Sequence, residues 1–183
     1  MMRKSPTKDR WGIFAKGGIL MEIIHPLKPV FDGDSRVLIL GTMPSPRSRE
    51  VGFYYGHPQN RFWKVMAQLF NEALPADTEE RTAFLKRHHI ALWDVLQQCE
   101  ITGAQDSSIR NPVANDLSQI LDHAPIRAIF ATGKTAGKWY TKLIQPQTGI
   151  PITILPSTSP ANCAVSMEGL LQEYGIIRKY LEL

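Results

Sequence analysis

Four short apolar runs govern what this chain can fold into. "VLIL" at 37–40, "IALWDVL" at 90–96, "IRAIFATG" at 126–133 and "IPITILPS" at 150–157 are strand-length and continuous rather than alternating. Runs of that kind belong to strands buried on both faces, the habit of parallel sheets. Between them lie stretches with helical spacing of apolar residues, at 61–73, 77–88, 114–124, 134–143 and 166–183. The alternation predicts an α/β domain whose mostly parallel sheet is covered by helices on both faces. A length of 183 residues with 43% hydrophobic content fits one core over 21–183, with the basic residues 1–20 as a flexible N-terminal extension.

The net charge of +4 and a pI near 9.1 permit a polyanionic partner without selecting one, because much of the positive charge lies in residues 1–20. Cys99 and Cys163 stand far apart and in no metal-ligand spacing, so they read as reduced thiols and no metal is expected. With no run of 18 uncharged apolar residues, the expectation is a cytoplasmic, nucleoid-associated protein without a membrane partner.

Sites in sheets of this type gather where strands give way to loops at their carboxyl ends. Three stretches meet that condition: 41–60, 132–135 and 156–162. The first is far longer than the roughly two to six residues usual for such a connection. "ATGKTAGK" suggests a triphosphate loop, but the pattern GxxxxGK[ST] requires Gly where Ala128 stands, so no nucleotide triphosphate is expected. In "GTMPSPRSREVGFYYGHPQNRFW", Phe62 and Trp63 fit a helix facing the core. Tyr55 and Asn60 instead suit a pocket that sandwiches a planar heterocycle and reads its polar edge. "LPSTSPAN" offers hydroxyls and an amide, either to a phosphate or as an elaborate helix cap.

The motifs "GTMPS", "GFYYGHPQNRFW" and "LPSTSPAN", in that order and spacing, resemble the uracil-DNA glycosylase superfamily, most closely its hypoxanthine-DNA (deoxyinosine) glycosylase branch. The related mismatch-specific uracil-DNA glycosylases share the pattern G-F-x-[FY]-x-H-P-x-N-R-F-W. The resemblance spans roughly residues 34–180. It implies a three-layer αβα sandwich with a central, mostly parallel four-stranded sheet. It also implies a monofunctional, monomeric, cofactor-free enzyme that extrudes a deaminated base from double-stranded DNA and hydrolyses its N-glycosidic bond. Hypoxanthine is the expected base, with uracil and xanthine as alternatives. Readings from other classes are a non-catalytic binder of damaged or single-stranded DNA and an enzyme acting on a free nucleoside.

Position by position, the resemblance implies that Asn60 serves catalysis and that Tyr55 stacks on the extruded base. Gly41, Thr42, Met43, Pro44 and Ser45 would line the base pocket with Phe53 and His57. Ser157, Thr158, Ser159, Ala161 and Asn162 would grip the DNA backbone, with Lys134 and Arg61 as helpers. The chain departs from the uracil-directed branches at Met43, where they carry a water-positioning Asp or Asn. It departs again at Ser157, where the major uracil branch has a His, and at Ala161, where the mismatch branch has a bulky wedge. An amide neither takes up nor releases a proton near neutral pH, so a site relying on Asn60 is expected to have a flat pH profile. An acidic limb traced to a carboxylate, Asp94 or Asp106, would contradict that expectation.

Overall fold

The computed structural model describes residues 19–181, so the expected extension at 1–20 lies outside the described residues except for Ile19 and Leu20. Seven strands follow in chain order: β1 (Leu20–Ile24), β2 (Val37–Gly41), β3 (Ile90–Asp94), β4 (Leu96–Thr102), β5 (Arg110–Ala114), β6 (Ala128–Thr132) and β7 (Ile152–Leu155). Four of them form one sheet in the order β3-β2-β6-β7, with every neighbouring pair parallel. All residues of β2 and β3 are buried, which is why their apolar runs are unbroken.

The helices are α1 (Pro46–Val51), α2 (Phe62–Leu69), α3 (Thr78–Arg87), α4 (Ser118–Leu121), α5 (Lys134–Leu143), α6 (Gln145–Thr148) and α7 (Met167–Tyr174). The last continues as a 3-10 helix, Gly175–Tyr180. Local chemistry sets their ends. At α3, Asp77 accepts from Glu80 N–H, Glu80 reaches back to Ala76 N–H, and Lys86 and Arg87 sit where the helix dipole is negative. Helix α3 packs on β3 and α5 on β6 and β7, while α2 pairs with α7. The α5 contact needs a glycine: a Cβ at Gly137 would lie 2.4 Å from Ile154 Cδ1.

A second sheet, antiparallel in the order β1-β4-β5, differs from the sequence expectation. The run 90–96 does not continue as one strand. It ends at Asp94, where Val95 N–H donates to the Gly41 carbonyl and Leu96 N–H to that of Thr42, turning the chain into β4. β4 buries Leu96, Cys99 and Ile101 and leaves the positions between them partly or fully exposed, as a strand with one solvated face does. The helix expected at 114–124 is shorter because 110–114 pairs with β4 as an edge strand, where Pro112 is tolerated. Within 41–60, Ser45 caps a short helix that Gly52 ends in the left-handed conformation, so this connection is structured.

Candidate active site

Because the four strands of the parallel sheet run the same way, Gly41, Asp94, Thr132 and Leu155 end them along one edge. The first motif leaves from the end of β2 and the third from the end of β7, and the second follows α1 in the same connection as the first. Gly41 is paired with Asp94, and a Cβ there would lie 2.3 Å from Asp94 Oδ1 and 3.3 Å from Tyr55 Oη. Glycine is therefore required for close approach, not for turning. Asp94 Oδ2 meets His25 Nε2 at 2.8 Å, and the two side chains are only 6% and 2% exposed. The Asp94 backbone carbonyl accepts from Asn115 Nδ2.

Tyr55 adopts the left-handed backbone at φ 52°, costly for a residue with a large side chain, and two contacts hold it there. Its ring stacks on Phe62 with centroids 3.9 Å apart and planes at 12°. Its hydroxyl meets Thr132 Oγ1 at 2.9 Å, while Thr132 donates onward to the Leu40 carbonyl. Burial raises the Tyr55 hydroxyl pKa well above the ordinary value, helped by the Asp94 and Tyr174 charges and opposed by the Thr132 bond. The phenol stays neutral and able to donate. Part of the residue remains accessible, and a base stacking on it has to use the face opposite Phe62.

Asn60 joins the second motif to the third. Its Oδ1 accepts from Phe62 N–H and from Thr158 Oγ1, both at 2.9 Å. The acceptor is occupied, so the Nδ2 donor is the part of the amide left for a ligand. Beside it, Arg61 N–H donates to the Thr158 carbonyl, and the Arg61 guanidinium to the carbonyls of Asn162, at 2.7 Å, and Val165. Arg61 thus closes the seam between the two loops.

The same connected motifs carry the comparison with known proteins. The Uracil DNA glycosylase superfamily matches residues 29–175. The chain belongs to that superfamily. A hypoxanthine DNA glycosylase of Methanosarcina barkeri (strain Fusaro / DSM 804) is 35% identical over 136 residues, 73% of this chain and 85% of that protein. One from Methanosarcina acetivorans is 36% identical over 135 residues, covering 73% and 84%. The solution NMR structure of a candidate uracil DNA glycosylase from Methanosarcina acetivorans superposes with a TM-score of 0.75 at 32% identity, over 89% of this chain and all of that one.

In this DNA glycosylase the remaining residues expected at the site divide by exposure. Pro44 is buried, and Met43 is half-buried against the core. Ser45 caps α1. Phe53 is 6% exposed among the rings of Tyr54 and Trp63, placing it in the core layer beneath the motif. His57 is exposed and its Nδ1 accepts from Gln59 N–H, the turn-capping arrangement. Thr158 is 1% exposed and its hydroxyl belongs to Asn60, so it faces inward. Ser157 and Ser159 accept from backbone N–H groups of their own loop, and Asn162 Nδ2 donates to the Ser157 carbonyl. Ala161 and Lys134 are exposed. Gly133, Lys134, Pro156, Ser157 and Asn162 border an open cavity of about 570 Å³, with Glu173 on its wall.

The structure also brings up Asp106, from a 3-10 turn after β4, whose Oδ2 accepts from Thr42 Oγ1 at 3.3 Å. The residue as a whole is exposed, yet its carboxyl lies among enough protein that desolvation raises its pKa. The Thr42 bond opposes that rise and the nearby Asp94 charge adds to it. His25 and Asn115 carried no sequence signal as site residues, and Thr132 lay in the expected stretch 132–135 without being singled out. Each acts across 19 to 77 residues of chain, and no local pattern reports such a pairing.

Proposed function

We propose that this glycosylase removes hypoxanthine from double-stranded DNA, acting as a monomer and leaving an abasic site. The observation that carries the reading is the Asn60 seam: an amide whose oxygen is fixed by Phe62 and Thr158, and whose donor is left for a ligand beside Tyr55's motif. Two relatives that carry the name hypoxanthine DNA glycosylase support the substrate. Met43 supports it as well, since a thioether cannot order the water that an Asp or Asn would order at that position.

Extrusion costs a few kcal/mol, least for a poorly paired base. Stacking on the face of Tyr55 opposite Phe62 would return about 1–3 kcal/mol of that. Bond breaking at C1′ builds positive charge on the sugar, and the site must orient a water and support the leaving base. Asn60 Nδ2 supplies a hydrogen bond to the base or to that water. The exposed Lys134 and the half-buried Ser157 and Asn162 border the cavity that takes the backbone on the flanking side.

The test is release of base from duplexes bearing a single hypoxanthine, uracil or xanthine, comparing wild type with Asn60→Asp. The aspartate keeps an oxygen for Phe62 N–H and Thr158 but loses the donor, so the variant should unfold at the wild-type temperature. Its hypoxanthine release should fall by about 100- to 1000-fold, the scale for deleting one donor to a developing charge. Wild-type release of uracil alone would refute the substrate. Tight binding without release of any base would establish the non-catalytic reading.

A further inference from the structure

Hydrolysis at C1′ requires an acceptor that orients the attacking water and takes its proton. The pocket loops provide few. Met43 offers only a weakly accepting thioether, and both bonds to Asn60 Oδ1 come from the protein. Ser45 Oγ accepts from Ser48 N–H at the cap of α1. Asp94 has one oxygen held by His25 and the other pressed against Gly41 on the floor of the edge. Asp106 differs from all of these. It reaches the first motif from another element, 64 residues away, through a single side-chain bond from Thr42, and the residue is exposed although its carboxyl is partly desolvated.

We propose that Asp106 is a catalytic carboxylate of this enzyme and Thr42 the residue that positions it; the inference rests on the glycosylase reading above. The ionised Asp106 accepts a proton from water while the water oxygen bonds to C1′. The C1′–N bond breaks and its electron pair leaves with the base, which takes a proton from solvent, giving free base and a sugar hydroxyl at C1′. Before the water arrives, the same negative charge stabilises the cationic sugar. Among the described residues, the titratable groups that act on or through this carboxyl are Asp94 at the end of β3 and Cys99 in β4. Burial pushes the Cys99 thiol up to about 11, so it carries no charge at neutral pH; Arg49 of α1 and Glu100 of β4 act on that thiol. A carboxylate whose pKa is raised from its ordinary value is also a better base near neutrality.

The experiment is single-turnover release at saturating enzyme across pH, with enzyme-free blanks, for wild type, Asp106→Asn, Asp106→Glu and Thr42→Val. Wild type should lose rate on acidification, with a midpoint raised from the ordinary aspartate value, in place of the flat profile expected from an amide alone. Asp106→Asn should lower the rate by about 100- to 10,000-fold and erase the acidic limb, with affinity for the duplex unchanged. Asp106→Glu should keep the limb and recover part of the rate. Thr42→Val should move the limb to higher pH, because the bond it removes favours the charged form. Retention of the wild-type rate by Asp106→Asn overturns the proposal, as does a loss that leaves the limb in place or shows only in affinity. If wild type releases a base other than hypoxanthine, the substrate reading fails while the same four profiles decide the role of Asp106. Release of no base by wild type sinks both.

Discussion

Replacing Gly41 with alanine tests whether the strand edge is assembled by close approach. The new methyl would sit 2.3 Å from Asp94 Oδ1, a distance that side-chain carbons do not tolerate, and 3.3 Å from Tyr55 Oη. The backbone there lies in a buried strand with both neighbours paired, so the carboxylate has to yield. It can retreat only by weakening its bond to His25. Forcing an extra methyl into a packed site costs about 1–3 kcal/mol. Loosening a hydrogen bond to a charged group costs about 1.5–3 kcal/mol. Retreat relieves one at the expense of the other, so a total near 3 kcal/mol is expected. For a domain of this size each kcal/mol lowers the unfolding temperature by about 2–4 °C, giving a drop of about 6–12 °C in calorimetry. Base release should fall too, as Tyr55 shifts off Thr132. The decisive assay is a double-mutant cycle with Asp94→Ala. Gly41→Ala should cost under about 1 kcal/mol once the carboxylate is gone. Equal costs in the two backgrounds, within about 0.5 kcal/mol, would refute the reasoning.

Two further predictions use titration and exposure. Alkylation of the native protein at pH 8 should modify Cys163, which is exposed, and leave Cys99, 1% exposed with its thiol pushed up to about 11; mass spectrometry should show one adduct, and two after denaturation. For stability, a carboxyl whose pKa is raised on folding favours the folded state at low pH and loses that advantage as pH rises from its unfolded pKa through its folded one. The unfolding temperature of Asp106→Asn should therefore match wild type in acid and exceed it near neutrality. An unchanged difference across pH would contradict the raised pKa.

What could be read from the residues alone follows the range over which each signal acts. Continuous apolar runs report burial on both faces, so the four parallel strands were legible, as were the well-capped α3 and the amphipathic α5. The antiparallel sheet was not, because β4 alternates polar residues that suit one solvated face and β5 is short, edge-placed and carries Pro112. The motifs singled out Tyr55 and Asn60 but not their states: a ring stacked on one side by Phe62, and an amide with its acceptor occupied. Thr158 and Arg61, expected as phosphate partners, also fasten the two loops to each other, a role that exists only after two segments about a hundred residues apart have met. The same holds for His25 with Asp94 and for Thr42 with Asp106. Periodicity and capping act within a few residues and leave their mark on the sequence, whereas a partner across the fold is chosen by where the strands end.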